Sequence, residues 1–67
     1  MAIGTVKWFN QVKAYGFIKS GDQDYFVYFR DIEMDGFKTL TENERVEFEP
    51  LQTHKGWCAK RVRRQSA

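Results

Sequence analysis

A chain of 67 residues with one cysteine and a formal net charge of +2 has room for one small domain and cannot be stapled by an internal disulfide. No apolar run is long enough for a membrane helix or a secretory leader, so a soluble, cytoplasmic protein is expected, and a monomer is expected as well. Folding a domain of about 60 residues buries only about 60% of the surface its unfolded chain exposes, so stability is expected to be marginal.

The small net charge conceals a segregation. The first 20 residues carry three lysines and no acid, residues 21–50 carry all nine acids against three bases, and the last 17 hold Lys55, Lys60, Arg61, Arg63 and Arg64. Folded position decides what potential such blocks create.

In chain order, Ala2 to Asn10 mixes β-branched and aromatic residues and reads as a first strand ending at the turn-forming Asn10-Gln11. Strict alternation puts Trp8 with Val6 and Phe9 with Lys7; a bulge or strong twist is needed for any other arrangement. The second strand spans Lys13 to Lys19, with Lys13, Tyr15, Phe17 and Lys19 on one side and Ala14, Gly16 and Ile18 on the other. Asp24 to Arg30 repeats the pattern as a third strand, with Asp24, Phe26, Tyr28 and Arg30 sharing one side. Ser20-Gly21-Asp22-Gln23 joins the two as a hairpin loop.

Asp31 to Glu42 shows no sustained period and reads as a surface connection, opening with a helical turn at Asp31-Ile32-Glu33 and lending Leu40 to the core. Asn43 to Leu51 alternates as a fourth strand, Val46 and Phe48 inward and Arg45, Glu47 and Glu49 outward, with Pro50 requiring an edge or a bulge. Gln52 to Gly56 is a polar turn, and Trp57 to Arg64 a fifth strand whose surest inward residue is Val62. Five short strands without a helix of useful length predict an all-β fold, a five-stranded antiparallel barrel over residues 1–67 whose closure removes exposed edges.

The aromatic face of the second and third strands is also the charged face. An ordinary half-buried strand does not mix aromatics with lysines in this way. Nine of the eleven aromatics lie between Trp8 and Phe37, more than the narrow interior of such a barrel can hold, so several stay outside. Aromatics rimmed by cations suit unpaired bases, which stack on the rings while lysines meet phosphates. The competing reading is an interaction module whose aromatic groove holds a peptide or protein.

Several segments together resemble the cold-shock domain family from about Ile3 to Val62. Gly4-Thr5-Val6-Lys7-Trp8-Phe9-Asn10 is similar to the family's opening strand, and Lys13-Ala14-Tyr15-Gly16-Phe17-Ile18 to its first ribonucleoprotein motif. Phe26-Val27-Tyr28-Phe29 is similar to its second, and Gly36-Phe37-Lys38-Thr39-Leu40 to its loop. The resemblance implies an OB-fold barrel that binds single-stranded RNA and DNA, with an RNA-chaperone role and a part in transcription or translation. It implies stacking by Trp8, Tyr15, Phe17, Phe26, Tyr28, Phe29 and Phe37, with Lys7, Asn10, Lys13, Asp24 and Lys55 as polar or charged partners. Phe9, Arg30, Lys38 and Trp57 are additional candidates. The chain departs from the family's pattern at Ala14, a usual glycine, at Tyr28, a usual histidine, and at Trp57, a usual proline. If the family glycine marks a positive φ, Ala14 is strained.

His54 and Cys58 are single residues of their type, too few for a structural zinc site and without partners for nucleophilic catalysis. No enzyme, metal, cofactor or small-molecule substrate is expected. The basic run Lys60-Arg61-Val62-Arg63-Arg64 reads as a localisation signal, as a tail that adds phosphate affinity without selectivity, or as a charged strand end that keeps the protein soluble.

Overall fold

The computed structural model describes residues 1–34, 36 and 38–65. Five strands form a closed barrel in the order β1-β2-β3-β5-β4, with β1 Ala2–Asn10, β2 Tyr15–Ser20, β3 Gln23–Tyr28, β4 Arg45–Thr53 and β5 Gly56–Arg64. The expected all-β barrel is present, and β1–β2, β1–β4, β2–β3 and β4–β5 pair antiparallel. The ladder that closes it is parallel, through Phe26 and Cys58 on β3 and β5. Ile32 extends that seam with a second parallel bridge, to Val62.

The strand boundaries shift from those the sequence predicts, for local reasons. Lys13 falls in the turn before β2 rather than on it, because Asn10 rolls the chain over. Its side-chain oxygen accepts the amides of Val12 and Lys13, each at 2.9 Å, and its carbonyl accepts the amide of Ala14 at 2.7 Å. Phe29 and Arg30 leave β3 for a single 3₁₀ turn, Phe29–Asp31, two residues before the helical turn expected at Asp31. Gln52 and Thr53 continue β4, and the turn narrows around His54 and Lys55. Thr53 closes it, its hydroxyl donating to the Gly56 carbonyl at 3.0 Å while accepting the Lys55 amide at 3.2 Å.

The core is aliphatic apart from one ring. Val6, Ile18, Val27, Ile32, Leu40, Val46, Phe48, Ala59 and Val62 are buried, and among the described residues no polar or charged one is buried with them. Val46, Phe48, Val62 and Leu40 point inward as their alternation or position predicts. Ile32, expected on a surface connection, is buried because its bridge to Val62 draws the chain across the barrel seam. Pro50 pairs with Ala59 but lies beyond the Ala2–Phe48 pair where β1 begins, at an open edge where its missing N–H costs no ladder bond.

Candidate nucleic-acid interface

Register builds the aromatic face. On the outer surface Tyr15 lies opposite Tyr28, Phe17 opposite Phe26, and Lys19 opposite Asp24. Directly opposed residues project to the same side, so the alternation seen in each strand becomes a two-strand patch.

A bulge brings Trp8 to that patch. The β1–β2 register runs Val6 with Ile18 and then Trp8 with Phe17, leaving Lys7 as the extra residue. The extra residue reverses the alternation, so Val6 stays inward, Trp8 turns outward at 40% exposure, and Phe9 turns back to pack against the core. Phe9 therefore lies partly buried against the core beneath the patch. Gly16 makes the crossing possible, since a Cβ there would meet the Trp8 carbonyl and come within 2.8 Å of the Phe9 Cα.

The four rings form a continuous cluster. Trp8 lies 5.5 Å from both Tyr15 and Phe17, Tyr15 5.6 Å from Phe26, and Phe17 5.7 Å from Phe26, centroid to centroid. Trp8 with Tyr15 and Phe17 with Phe26 meet edge to face at 73°, an arrangement favoured by their quadrupoles, while the other two pairs are tilted at 59° and 32°. Tyr28 continues the patch at 38% exposure, with its ring 4.9 Å from that of Phe29 on the 3₁₀ turn. The Arg30 guanidinium lies 5.9 Å from the Phe29 centroid and caps that end with a cation. Phe37, expected among the stacking residues, lies outside the described residues.

Two concavities flank the rings. One, of about 650 Å³, is lined by Phe17, Phe26, Asp24, Lys55, Trp57 and Cys58, among others, between the aromatic patch and the β4–β5 hairpin. The other, of about 420 Å³, is lined by Gln11, Ala14, Phe29, Gly36 and Lys38. Trp57 serves both a concavity and the barrel end. It lines the first concavity, and its ring packs at 5.8 Å on Tyr25, which lies 4.8 Å from Phe48 and closes that end of the core.

Charge is distributed unevenly around these surfaces. Lys7, pushed out by the bulge, pairs with Asp24 at 3.0 Å beside Phe17 and Phe26. Lys13, Lys38 and Lys55 make no ion pair among the described residues and sit on the loops that border the rings. The cations of β5 are engaged elsewhere. Lys60 pairs with Asp31 at 3.3 Å, Arg61 with Glu33 at 3.5 Å and Glu49 at 3.8 Å, Arg63 with Glu33 at 2.8 Å, and Arg64 with Glu44 at 2.6 Å. The hydrogen bond from Arg63, helped by the nearby charges of Arg63 and Arg61, holds the Glu33 carboxyl below its ordinary value of 4.5 against the opposing effect of desolvation.

A closed five-stranded barrel with half-exposed aromatics across three strands and cations on the bordering loops defines an OB-type nucleic-acid-binding domain. The chain belongs to the 'Cold-shock' DNA-binding domain family, which it matches over residues 2–65. It is 55% identical over 64 residues to the major cold shock protein of Micrococcus luteus, covering 92% of this chain and 96% of that one. It is 53% identical over 62 residues to a cold shock-like protein of Aquifex aeolicus, covering 90% and 89% respectively. The solved structure of drosophila Unr CSD456 superposes on 97% of this chain with a TM-score of 0.77. The sequences there are 19% identical and this chain spans 26% of that one, so the likeness concerns the fold.

Proposed function

We propose that the protein binds single-stranded RNA and DNA with low sequence specificity and acts as an RNA chaperone. The observation that carries this reading is the ring cluster of Trp8, Tyr15, Phe17 and Phe26, held outside a core that is already complete without it. Four rings left half-solvated are a cost to a small barrel, and stacking on unpaired bases recovers it at about 1 to 3 kcal/mol per base.

Bases leave one another's stack and lie on the rings, while the backbone runs past Lys13, Lys38 and Lys55 on the bordering loops. Asn10 has committed its side-chain oxygen to the turn, so its amide N–H groups are what it offers a ligand. Lys7 reaches a phosphate only by sharing or leaving Asp24, which makes the pair an adjustable part of the rim. Binding to open strands lowers the population of hairpins by mass action, with no energy source beyond binding itself.

Titration of labelled oligo-U, oligo-dT and a matched duplex at two salt concentrations tests the reading. Both single strands bind and the duplex does not, with log K falling against log salt by about 0.7 per neutralised phosphate. Equal affinity for the duplex overturns single-strand selectivity. A salt-insensitive affinity for apolar peptides, with none for oligonucleotides, favours a peptide groove instead.

A further inference from the structure

Arg45 is the cation that the aromatic patch leaves unexplained. The other exposed bases either meet carboxylates, as on β5 and at Lys7, or lie on the strands and loops around the rings. Arg45 is exposed on β4, on the far side of β1 from the rings, and makes no ion pair among the described residues. The carboxylate next to it in sequence, Glu44, is taken by Arg64 at 2.6 Å and accepts the Thr41 amide at 3.0 Å. Glu47, two residues further along β4, is half-buried opposite Ile3.

Register ties Arg45 to the rings across the barrel surface. Asp24 on β3 lies opposite Lys19 on β2, Lys19 opposite Thr5 on β1, and Thr5 opposite Arg45 on β4; all four are exposed. Opposed residues on neighbouring strands share a face, so Lys19, Thr5 and Arg45 form a row that starts at the edge of the aromatic patch and leads away from it. Lys19 and Arg45 are two strand spacings apart, about 10 Å. That is about the screening length at 0.1 M salt, so their potentials overlap. The Thr5 hydroxyl between them is a hydrogen-bond donor suited to a phosphate oxygen.

We infer that the row Lys19–Thr5–Arg45 holds backbone phosphates of nucleotides that flank the ring-bound segment, guiding the strand around the barrel over β1 onto β4. The inference rests on the single-strand reading and deepens it. It makes the binding footprint longer than the aromatic patch, and it adds affinity without base preference, since phosphate contacts carry no sequence.

The test compares oligo-U of about 5 and about 15 nucleotides, within the span of site sizes of OB folds, on wild type, Arg45→Gln and Arg45→Glu, with Phe17→Ala as reference. Arg45 is exposed, so the variants are expected to keep the fold, checked by circular dichroism. Arg45→Gln leaves the short oligonucleotide's affinity unchanged and weakens the long one about threefold at low salt, with a slope flatter by about 0.7. Arg45→Glu weakens the long one further, whereas Phe17→Ala weakens both lengths. Unchanged affinity of Arg45→Glu for the long oligonucleotide, or equal loss at both lengths, overturns the row. Failure of the wild type to bind either length overturns the single-strand reading, and the row with it.

Discussion

The amide of Phe29 donates to the carbonyl of Ala14 at 3.0 Å, and Ala14 stands at φ 62°. The bond ties the turn after β1 to the end of β3, so both flanks of the aromatic patch are set by one residue in a left-handed conformation that its side chain disfavours. An L-residue there costs about 1 kcal/mol or more, and glycine does not.

Ala14→Gly should therefore raise stability by about 0.5 to 1 kcal/mol, which for a domain of this size is a Tm increase of several degrees. Thermal unfolding followed by circular dichroism reads it. A lower Tm would mean that the flexibility added to the unfolded chain outweighs the relief of strain.

Gly16→Ala acts in the opposite direction. The added methyl meets the backbone at Trp8 and Phe9 rather than a movable side chain, so the bulge must shift, at about 1 to 3 kcal/mol. Denaturant titration should show the loss, and Trp8 emission should change with it. Wild-type stability would show that the β1–β2 crossing has slack.

Phe17→Ala and Phe26→Ala each remove a half-exposed ring from the cluster and none from the core. Affinity for oligo-U should fall by about 1 to 3 kcal/mol, with the circular dichroism spectrum preserved. A folded variant binding as tightly as wild type would remove that ring from the interface. An unfolded variant would make the ring structural.

Replacing Arg63 and Arg64 together by glutamine should change stability more than binding. Both cations already face carboxylates, Glu33 and Glu44, so little of their charge is free to attract phosphate. Exposed pairs of this kind contribute little to stability each. Affinity for oligo-U and oligo-dT is expected to move by the same small factor and Tm to fall slightly. A change in base preference would place these arginines on the bases.

Glu33 gives stability a pH dependence of definite sign. Its folded pKa is lowered, first by the Arg63 hydrogen bond, so folding favours the ionised form. The stabilisation is present above the unfolded value near 4.5 and is lost as pH falls through the folded one. Wild type should melt above Glu33→Gln at neutral pH, with the gap closing below the unfolded value. A gap that stays constant down to the acid limit would detach Glu33 from the ion pairs with Arg61 and Arg63.

The sequence by itself determined the parts of this protein that rest on local period. Two-residue alternation placed Tyr15 with Phe17 and Phe26 with Tyr28 outside, Val46, Phe48 and Val62 inside, and the number of strands followed from the turn residues between such runs. The strain at Ala14 was legible because only a resemblance to a glycine-bearing motif and the chemistry of a left-handed residue were needed. Tertiary structure alone decided what depends on partners distant along the chain. The bulge at Lys7 exists because β1 must match β2, and it reverses the facing of Trp8 and Phe9, an outcome no period within β1 states. The parallel closure of β3 on β5 buries Ile32 by way of Val62, some thirty residues away. The division of the cations was hidden for the same reason: the potential that a basic run such as 60–64 projects depends on which carboxylates the fold sets against it. Against β5 those are Asp31, Glu33, Glu44 and Glu49, while Arg45, inside the acidic segment 21–50, is left without one among the described residues.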